Sequence, residues 1–252
     1  MKKMVWVILL LAAGVWAQDI TPEALIAKGD AAVDAFDNQA ALDFYTQALK
    51  LDSANCEALW KASRTCADLG EVLKDDDQKD YYRKANDYAD KAIAACPDNS
   101  NAHLFKSVAI GRVALISGKK EQVQLSAVVK AEAEKALELD PNSDIAHHVL
   151  GRWHRKVANL SGVQKMFAKI LYGGLPDASN EQAVKEFQTA IKLNPGFINH
   201  HLELGLTYED MKQWEKAKEE YEAVLALPKT NADDDEHKAV AKEHLEKVMK
   251  KI

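Results

Sequence analysis

The segment 181–228 contains the same residue pattern twice, and the second copy follows the first by 34 positions, the distance from Ala183 to Ala217. The two copies consist of Ala183, Phe187, Ala190 and Pro195, and of Ala217, Tyr221, Val224 and Pro228. Residues three and four apart share one face of an α-helix, where a small residue admits a neighbouring helix and an aromatic ring fills the gap beside it. A repeat of this length indicates helix-turn-helix units that bury their apolar faces by stacking on one another.

The same pattern divides the chain into about five units, and no strand pattern occurs between them. The units are 22–53, 56–99, 100–142, 144–195 and 198–228. The second and third units carry about ten extra residues each and the fourth about twenty. The segment at about 231–252 starts with acidic residues and continues as an amphipathic helix, which is typical of the cap that ends such an array. The sequence therefore predicts an all-α solenoid.

The repeating unit resembles the tetratricopeptide repeat (TPR), and the resemblance covers most of the chain after residue 20. It implies an α-solenoid whose first helices line a concave groove. The groove of such an array usually binds a protein segment, so the resemblance implies a non-enzymatic scaffold for protein–protein interaction.

The first 17 residues have the composition of a secretory signal peptide. Lys2 and Lys3 precede an apolar run at 4–15, and Val15, Trp16 and Ala17 form a small-x-small cleavage site. An uncleaved membrane anchor is the alternative, but the apolar run is short for a span of about 20 residues. We expect cleavage before Gln18, a mature domain at 18–252, no stable membrane span, and a bacterial protein that is periplasmic or secreted.

Charge and motifs exclude several classes of function. The formal net charge is −6, whereas general nucleic-acid binding requires a basic domain. The neighbouring histidines His147, His148 and His154 do not have metal-ligand spacing, and no phosphate-binding loop or catalytic motif occurs. We therefore predict no enzyme activity, no cofactor and no metal.

Counting along each first helix predicts which side chains face the concave groove. The predicted groove residues are Trp60, Arg64, Asn101, Leu104, Val108, Arg112, His148, Arg152, Arg155 and Lys156. Five of them are cations, which would converge in the middle of the groove beside apolar Trp60, Leu104 and Val108. Arginines bind carboxylates and phosphates, so this mixture suits a peptide carboxylate or an anionic lipid headgroup. The alternative is that the cations pair with Asp and Glu of neighbouring helices.

The insertion in the fourth unit contains an apolar stripe with helical spacing, which includes Val163, Met166, Phe167 and Ile170. A Gly-Gly pair and a Pro-Asp turn follow it. One interpretation is an extra helix packed on the outside of the array. The other is a lid that closes over the groove. A lid would favour a carrier of lipids or small amphiphiles, the alternative to the protein-binding scaffold.

A second resemblance rests on the stretch 150–197. It begins with Leu-Gly-Arg-Trp, continues through a Leu-Ser pair and a short helix, and ends with a Pro-rich turn and a repeat helix before Pro195. This stretch is similar to the regulator of microtubule dynamics family, and the resemblance spans roughly 22–230. It implies a TPR-like helical domain. Some members of that family act at organelle contacts or on microtubules, and a lipid-holding groove has been proposed for them. A bacterial exported relative would meet no microtubules, so the resemblance implies the fold rather than the role.

The chain contains three cysteines, Cys56, Cys66 and Cys96. Cys56 and Cys66 are about 15 Å apart along one helix, which is too far for a disulfide. Cys56 begins the first helix of its unit and Cys96 ends the second, and antiparallel packing brings these two ends together. We predict a disulfide between Cys56 and Cys96, with Cys66 buried as a small apolar residue.

Overall fold

The computed structural model describes residues 20–173 and 177–252, and these ranges contain twelve α-helices and no strand. The signal peptide predicted at 1–17 lies outside the described residues. No helix in the described ranges has the length and apolarity needed to cross a membrane. The helices are α1 (Pro22–Asp34), α2 (Asn38–Leu51), α3 (Cys56–Val72), α4 (Asp75–Ala95), α5 (Ser100–Leu115), α6 (Lys119–Leu139), α7 (Asp144–Ala158), α8 (Gly162–Tyr172), α9 (Asn180–Leu193), α10 (Ile198–Asp210), α11 (Trp214–Ala226) and α12 (Asp234–Val248).

Ten of these helices form five antiparallel pairs: α1 with α2, α3 with α4, α5 with α6, α7 with α9, and α10 with α11. The first helices of successive pairs also contact one another, from α1 through α3, α5 and α7 to α10, and so form the inner layer of the array. The last helix, α12, packs against α11 and α10, where a cap was expected. The predicted all-α solenoid of about five helix pairs is confirmed.

The extra residues of the second and third units lengthen their helices. The helices α3, α4, α5 and α6 contain 17, 21, 16 and 21 residues, against 13 and 14 in α1 and α2. Side-chain caps fix where several helices begin, because Asn55 and Asn99 accept hydrogen bonds from the backbone N–H groups of Ala58 and Ala102. The turns are therefore defined by local sequence and the helix lengths by the insertions.

In the units whose paired helices are not lengthened, a glycine of the first helix lies against an aromatic ring of the second helix. A Cβ atom added to Gly151 would lie 2.8 Å from the ring of Phe187, and one added to Gly205 would lie 2.7 Å from the ring of Tyr221. Both rings are fully buried. In the lengthened units a serine occupies the same place in the first helix: Ser63 donates to the carbonyl of Ala85. The two helices of a regular unit can approach this closely only because the glycine has no side chain.

We expect Gly151→Ala to lower the free energy of unfolding by about 1–3 kcal/mol, because the added methyl group overpacks the contact with Phe187. Gly111 is the matched control, since a Cβ there would have its nearest neighbour, Val129, at 4.0 Å. Gly111→Ala should stabilise the protein by about 0.5–1 kcal/mol through helix propensity. Urea denaturation of both variants measures the two effects, and changes of the same sign would contradict the packing argument.

The inserted helix α8 lies on the outer side of the array. Within the described residues its backbone packs beside α6, a second helix, and beside none of the first helices. Gln164 of α8 donates to Gln122 of α6, and Ala168 is buried. The side chains of Val163, Met166 and Ile170 are exposed, and Phe167 is half-buried. Of the two interpretations of the insertion, the contact with α6 favours an extra helix packed on the outside of the array, with the small residue Ala168 on the side that it buries.

Three histidines occupy the same position, the fourth residue, in the first helices of units 3, 4 and 5. Each ring contacts a glutamate of the second helix through Nδ1, at 2.6–2.7 Å, and the carbonyl oxygen of the preceding proline through Nε2. The three sets are His103 with Glu132 and Pro97, His147 with Glu186 and Pro141, and His201 with Glu220 and Pro195. The hydrogen bond to Glu186 raises the pKa of His147, although burial opposes the rise. These histidines link the helices of a unit to the turn before it.

Candidate functional site

The predicted basic centre of the groove is largely neutralised by carboxylates. Arg112 of α5 donates to both carboxylate oxygens of Glu71, at 2.6 and 2.5 Å. Arg152 lies 3.0 Å from Glu203, and Arg155 lies 2.8 Å from the same carboxylate. These three arginines therefore pair with carboxylates of neighbouring helices, which was the alternative interpretation of the predicted cations.

Glu203 joins α7 to α10 from an almost completely buried position, with 9% of its side chain exposed. One of its carboxylate oxygens forms an ion pair with Arg152 and the other with Arg155, and Arg155 also donates to Asp210 at 2.7 Å. Burial raises the pKa of Glu203, but the nearby cations Arg152, Arg155 and Lys156 outweigh it and hold the pKa below the ordinary value. The network stabilises the stacking of units 4 and 5 and holds Arg155 between two carboxylates, those of Glu203 and Asp210.

The other predicted groove residues divide into packed and exposed ones. Leu104 and His148 are buried, and Val108 packs against the core. These three side chains therefore belong to the packing between helices. His148 and His200 contact each other through their Nδ1 atoms at 3.0 Å, and burial lowers the pKa of both rings. Asn101 is half-buried and Lys156 is exposed.

A cavity of about 280 Å³ lies between α1 and α3. It contains two of the predicted groove residues, Trp60 and Arg64. The cavity is lined by Asp30, Val33, Asp34, Tyr45, Trp60, Lys61, Arg64 and Thr65. The Trp60 ring is held in place by stacking on Phe105, with ring centroids 5.3 Å apart and planes 5° from parallel. This cavity therefore offers a fixed aromatic wall together with charged groups.

Two of the charged groups in the cavity are already paired. Lys61 donates to both oxygens of Asp30, at 2.8 and 2.7 Å, and lies 2.7 Å from Glu57. The Tyr45 hydroxyl donates to Asp30 at 2.7 Å. Burial, together with this bond to a carboxylate, raises the pKa of Tyr45. Asp30, Lys61 and Tyr45 thus form a satisfied network that shapes the cavity.

Arg64 differs from the other groove arginines because its side chain is 41% exposed and its ion pair is long, with 3.7 Å between its Nε and Asp68. The reason lies in the stacking of the units. Arg64 is the ninth residue of its first helix, and the ninth residue of units 1 and 4 pairs with the sixth residue of the next unit: Asp30 with Lys61, and Arg152 with Glu203. In unit 3 the sixth residue is Phe105, which offers no carboxylate. Among the described residues, Arg64 therefore has the long ion pair with Asp68 and no carboxylate partner at this position of the next unit.

Sequence reasoning did not identify the contribution of α1 to this cavity. Asp30, Val33 and Asp34 are the ninth, twelfth and thirteenth residues of α1, which are the same positions that identified the groove residues of the later units. Applying that count to the first unit would have found them.

One cluster in the described residues has the composition of a metal site. Asp233, Asp234 and His237, at the start of α12, place one potential ligand atom each within 4.8 Å of one another. Asp234, however, accepts hydrogen bonds from the backbone N–H groups of Thr230 and Asn231 at 2.7 and 2.8 Å. This pattern is that of a carboxylate that closes the loop before a helix. We therefore interpret the cluster as part of the helix start.

The chain is similar to a family of known proteins over nearly its whole described length. A family model described as Regulator of microtubule dynamics protein 1-3 matches residues 25–250. Regulator of microtubule dynamics protein 1 of Mus musculus is 30% identical over 160 residues, which cover 62% of this chain and 52% of the relative. Regulator of microtubule dynamics protein 2 of Homo sapiens is 26% identical over 195 residues, covering 77% and 47%. The chain thus spans about half the length of these two relatives.

The relative from Caenorhabditis elegans, regulator of microtubule dynamics protein 1, is 26% identical over 192 residues, which cover 76% of this chain and 85% of the relative. Among solved structures, a thermophilic TPR protein of Thermus thermophilus matches 88% of this chain and 100% of its own, with a TM-score of 0.66 and 16% identity. At that identity the likeness shows the fold alone, and the fold is a TPR solenoid.

Proposed function

The chain belongs to the Regulator of microtubule dynamics protein 1-3 family, and from that premise we propose that it is a non-enzymatic scaffold that binds a peptide segment in the cavity between α1 and α3. The TPR fold supports a protein-interaction scaffold, because stacked first helices create an extended concave binding surface. The observation that carries the site is the exposed guanidinium of Arg64 beside the fixed ring of Trp60.

We propose that the partner contributes a carboxylate to Arg64 and an apolar side chain to the face of Trp60. A carboxylate can form two parallel hydrogen bonds with a guanidinium, which gives both energy and orientation. Trp and Arg are the residue types that most often dominate binding energy at interfaces. The paired Asp30 and Lys61 at the floor of the cavity would keep its shape before the peptide arrives.

The test starts from a library of synthetic peptides with free carboxylates, selected on the chain 18–252, which contains every described helix. We expect an enriched peptide whose affinity falls about tenfold or more in Arg64→Glu, since a hydrogen bond to a charged group contributes about 1.5–3 kcal/mol. Arg83→Glu is the matched control, because Arg83 is an exposed arginine of α4 whose ion pair in the described part of the chain is with Asp80, at 3.3 Å. Its affinity should stay within about twofold of the unchanged chain.

Amidation of the peptide carboxylate should weaken binding of the unchanged chain and leave the already weak binding of Arg64→Glu unaffected. Equal binding of the peptide to Arg64→Glu and to Arg83→Glu would contradict the proposed site. Selection that enriches no peptide at all would contradict the scaffold function.

We also propose that the scaffold is exported. The composition of residues 1–17 motivates this proposal, and the pairing of Cys56 with Cys96 supports it, because structural disulfides persist in oxidising compartments. Fractionation of the host cell, with mass measurement of the N-terminus, tests it; an intact N-terminus on a protein found only in the reducing cytosol would overturn it.

The alternative function, a carrier of lipids or small amphiphiles with α8 as the lid, receives less support. The position of α8 beside α6, away from the inner layer of the array, does not favour it.

A further inference from the structure

The helix α8 exposes an apolar stripe to solvent. Val163, Met166 and Ile170 are 53%, 51% and 70% exposed, and their spacing of three and four residues places them on one face. A surface helix of a soluble protein normally turns such a stripe toward the core. Here the small residue Ala168 is buried instead, so the large apolar side chains are left for another contact.

Lysines lie beside this stripe. Lys165 and Lys169 of α8 are exposed and form no ion pair with any described residue. The hydrogen bond of 3.1 Å between Gln164 and Gln122 holds α8 beside the start of α6, which adds the exposed Lys119 and Lys120. Glu121 is the acidic side chain among them. The local charge is thus positive on a chain whose formal net charge is −6.

The helix α8 is already formed in the chain without a partner. Ser161 and Gln164 build a reciprocal capping box at its start, and Gly173, with φ of 73°, ends it in the left-handed conformation. Binding through this helix therefore carries no cost of folding it.

We propose that α8 and the start of α6 dock on an anionic membrane surface. An amphipathic helix with large apolar residues on one side and lysines beside them lies in the interface between headgroups and acyl chains. Each lysine near an anionic leaflet is attracted to it, whereas lysine is depleted at protein–protein interfaces. The apolar stripe enters the acyl boundary, and Lys165 and Lys169 reach the headgroups.

The test uses flotation of the chain 18–252, which lacks the apolar run at 4–15, with two kinds of vesicle. One kind is phosphatidylcholine alone, and the other contains about one-third phosphatidylglycerol. We expect binding to the anionic vesicles only, and a loss of about tenfold or more in Ile170→Glu and in the double variant Lys165→Glu/Lys169→Glu.

The matched controls place the same changes on other exposed parts of the molecule. Val72→Glu alters an exposed apolar residue at the end of α3, and Lys50→Glu/Lys192→Glu alters two exposed lysines of α2 and α9. Both should bind vesicles like the unchanged chain, and circular dichroism should show equal helix content in all variants. Arg64→Glu should also keep vesicle binding, which separates this proposal from the peptide site.

Absence of binding to anionic vesicles, or equal binding to both kinds, would overturn the proposal. So would vesicle binding that persists in Ile170→Glu and in the lysine variant. A dimer of the unchanged chain that Ile170→Glu dissociates would assign the same face to a second copy of the chain instead.

Discussion

Glu203→Ala is expected to lower the free energy of unfolding by about 2–5 kcal/mol, because it takes one of two carboxylates from the largely buried Arg155 and the ion pair from Arg152, whose side chain is one-third exposed. Glu203 lies 3.0 Å from Arg152 and 2.8 Å from Arg155, and only 9% of its side chain is exposed. Arg155 would retain Asp210, but Arg152 has no other ion pair among the described residues. Guanidinium chloride denaturation monitored by circular dichroism measures the effect.

The matched control is Glu222→Ala. Glu222 lies on α11, is exposed, and forms an ion pair with Lys218 at the long distance of 3.6 Å within one helix. Removing it should change the free energy of unfolding by at most about 0.5 kcal/mol. A loss in Glu203→Ala as small as that in the control would mean that water replaces the missing carboxylate, and the stacking of units 4 and 5 would then rest on apolar contacts alone.

The pH dependence of the same contribution has a definite sign. The pKa of Glu203 is lowered in the folded state, because the nearby cations outweigh the effect of burial. Its contribution to stability is therefore fully present above the ordinary value of 4.5 and is lost as the pH falls through the lower folded pKa. The difference in stability between the unchanged chain and Glu203→Ala should accordingly be constant from about pH 5 to 7 and shrink only in stronger acid.

The features that were predictable from the sequence are those set within one unit. Ala183, Phe187 and Ala190 are fully buried, as their spacing indicated, and the same holds for Ala217 and Tyr221. Spacing along one helix fixes which face is apolar, so these positions depend on nothing outside the unit. The number of pairs and the capping helix followed from the same periodicity.

Contacts between units were harder to predict, because they depend on how far each first helix is rotated and shifted against the next. Asp30 pairs with Lys61 in one stacking contact, and Arg152 pairs with Glu203 in the equivalent contact three units later, with the charges reversed. The arginines were predicted to face the groove, but Glu203 was not identified because it lies at a position that the count for the concave face omits. Arg64 was among the predicted groove residues, but the count does not show that the equivalent position of the next unit holds Phe105 in place of a carboxylate.

The placement of α8 shows a different limit. Its apolar stripe has clear helical spacing, and spacing alone suggests that the stripe is buried or covers a groove. In the structure the large side chains Val163, Met166 and Ile170 are exposed, and the contact with α6 uses Ala168 and Gln164. The pattern predicted the helix and its two faces, whereas which face it buries depends on the space left beside the lengthened α6.

Removing the disulfide between Cys56 and Cys96 is expected to lower the free energy of unfolding by about 4 kcal/mol. The two cysteines are paired in the structure, with Cα atoms 6.0 Å apart and a sequence separation of 40. Closing a loop of that length restricts the unfolded chain by about this amount in the chain-entropy model. The bond ties the first residue of α3 to the C-cap of α4, so its loss should loosen the unit that carries Trp60 and Arg64.

Thiol labelling decides whether the bond forms in the protein from its own host. Burial raises the pKa of Cys66 to about 12, so this thiol should not react with iodoacetamide in the native protein. Unfolding without reductant should then expose Cys66 alone, and unfolding with reductant should label all three cysteines. Labelling of Cys56 and Cys96 without reductant would contradict the disulfide. If the single adduct is found at Cys66, denaturation with and without reductant measures the contribution of the disulfide to the free energy of unfolding. We expect a difference of about 4 kcal/mol (to within about 1 kcal/mol). The chain 18–252 carrying Cys56→Ala and Cys96→Ala should have the same free energy of unfolding as the reduced protein.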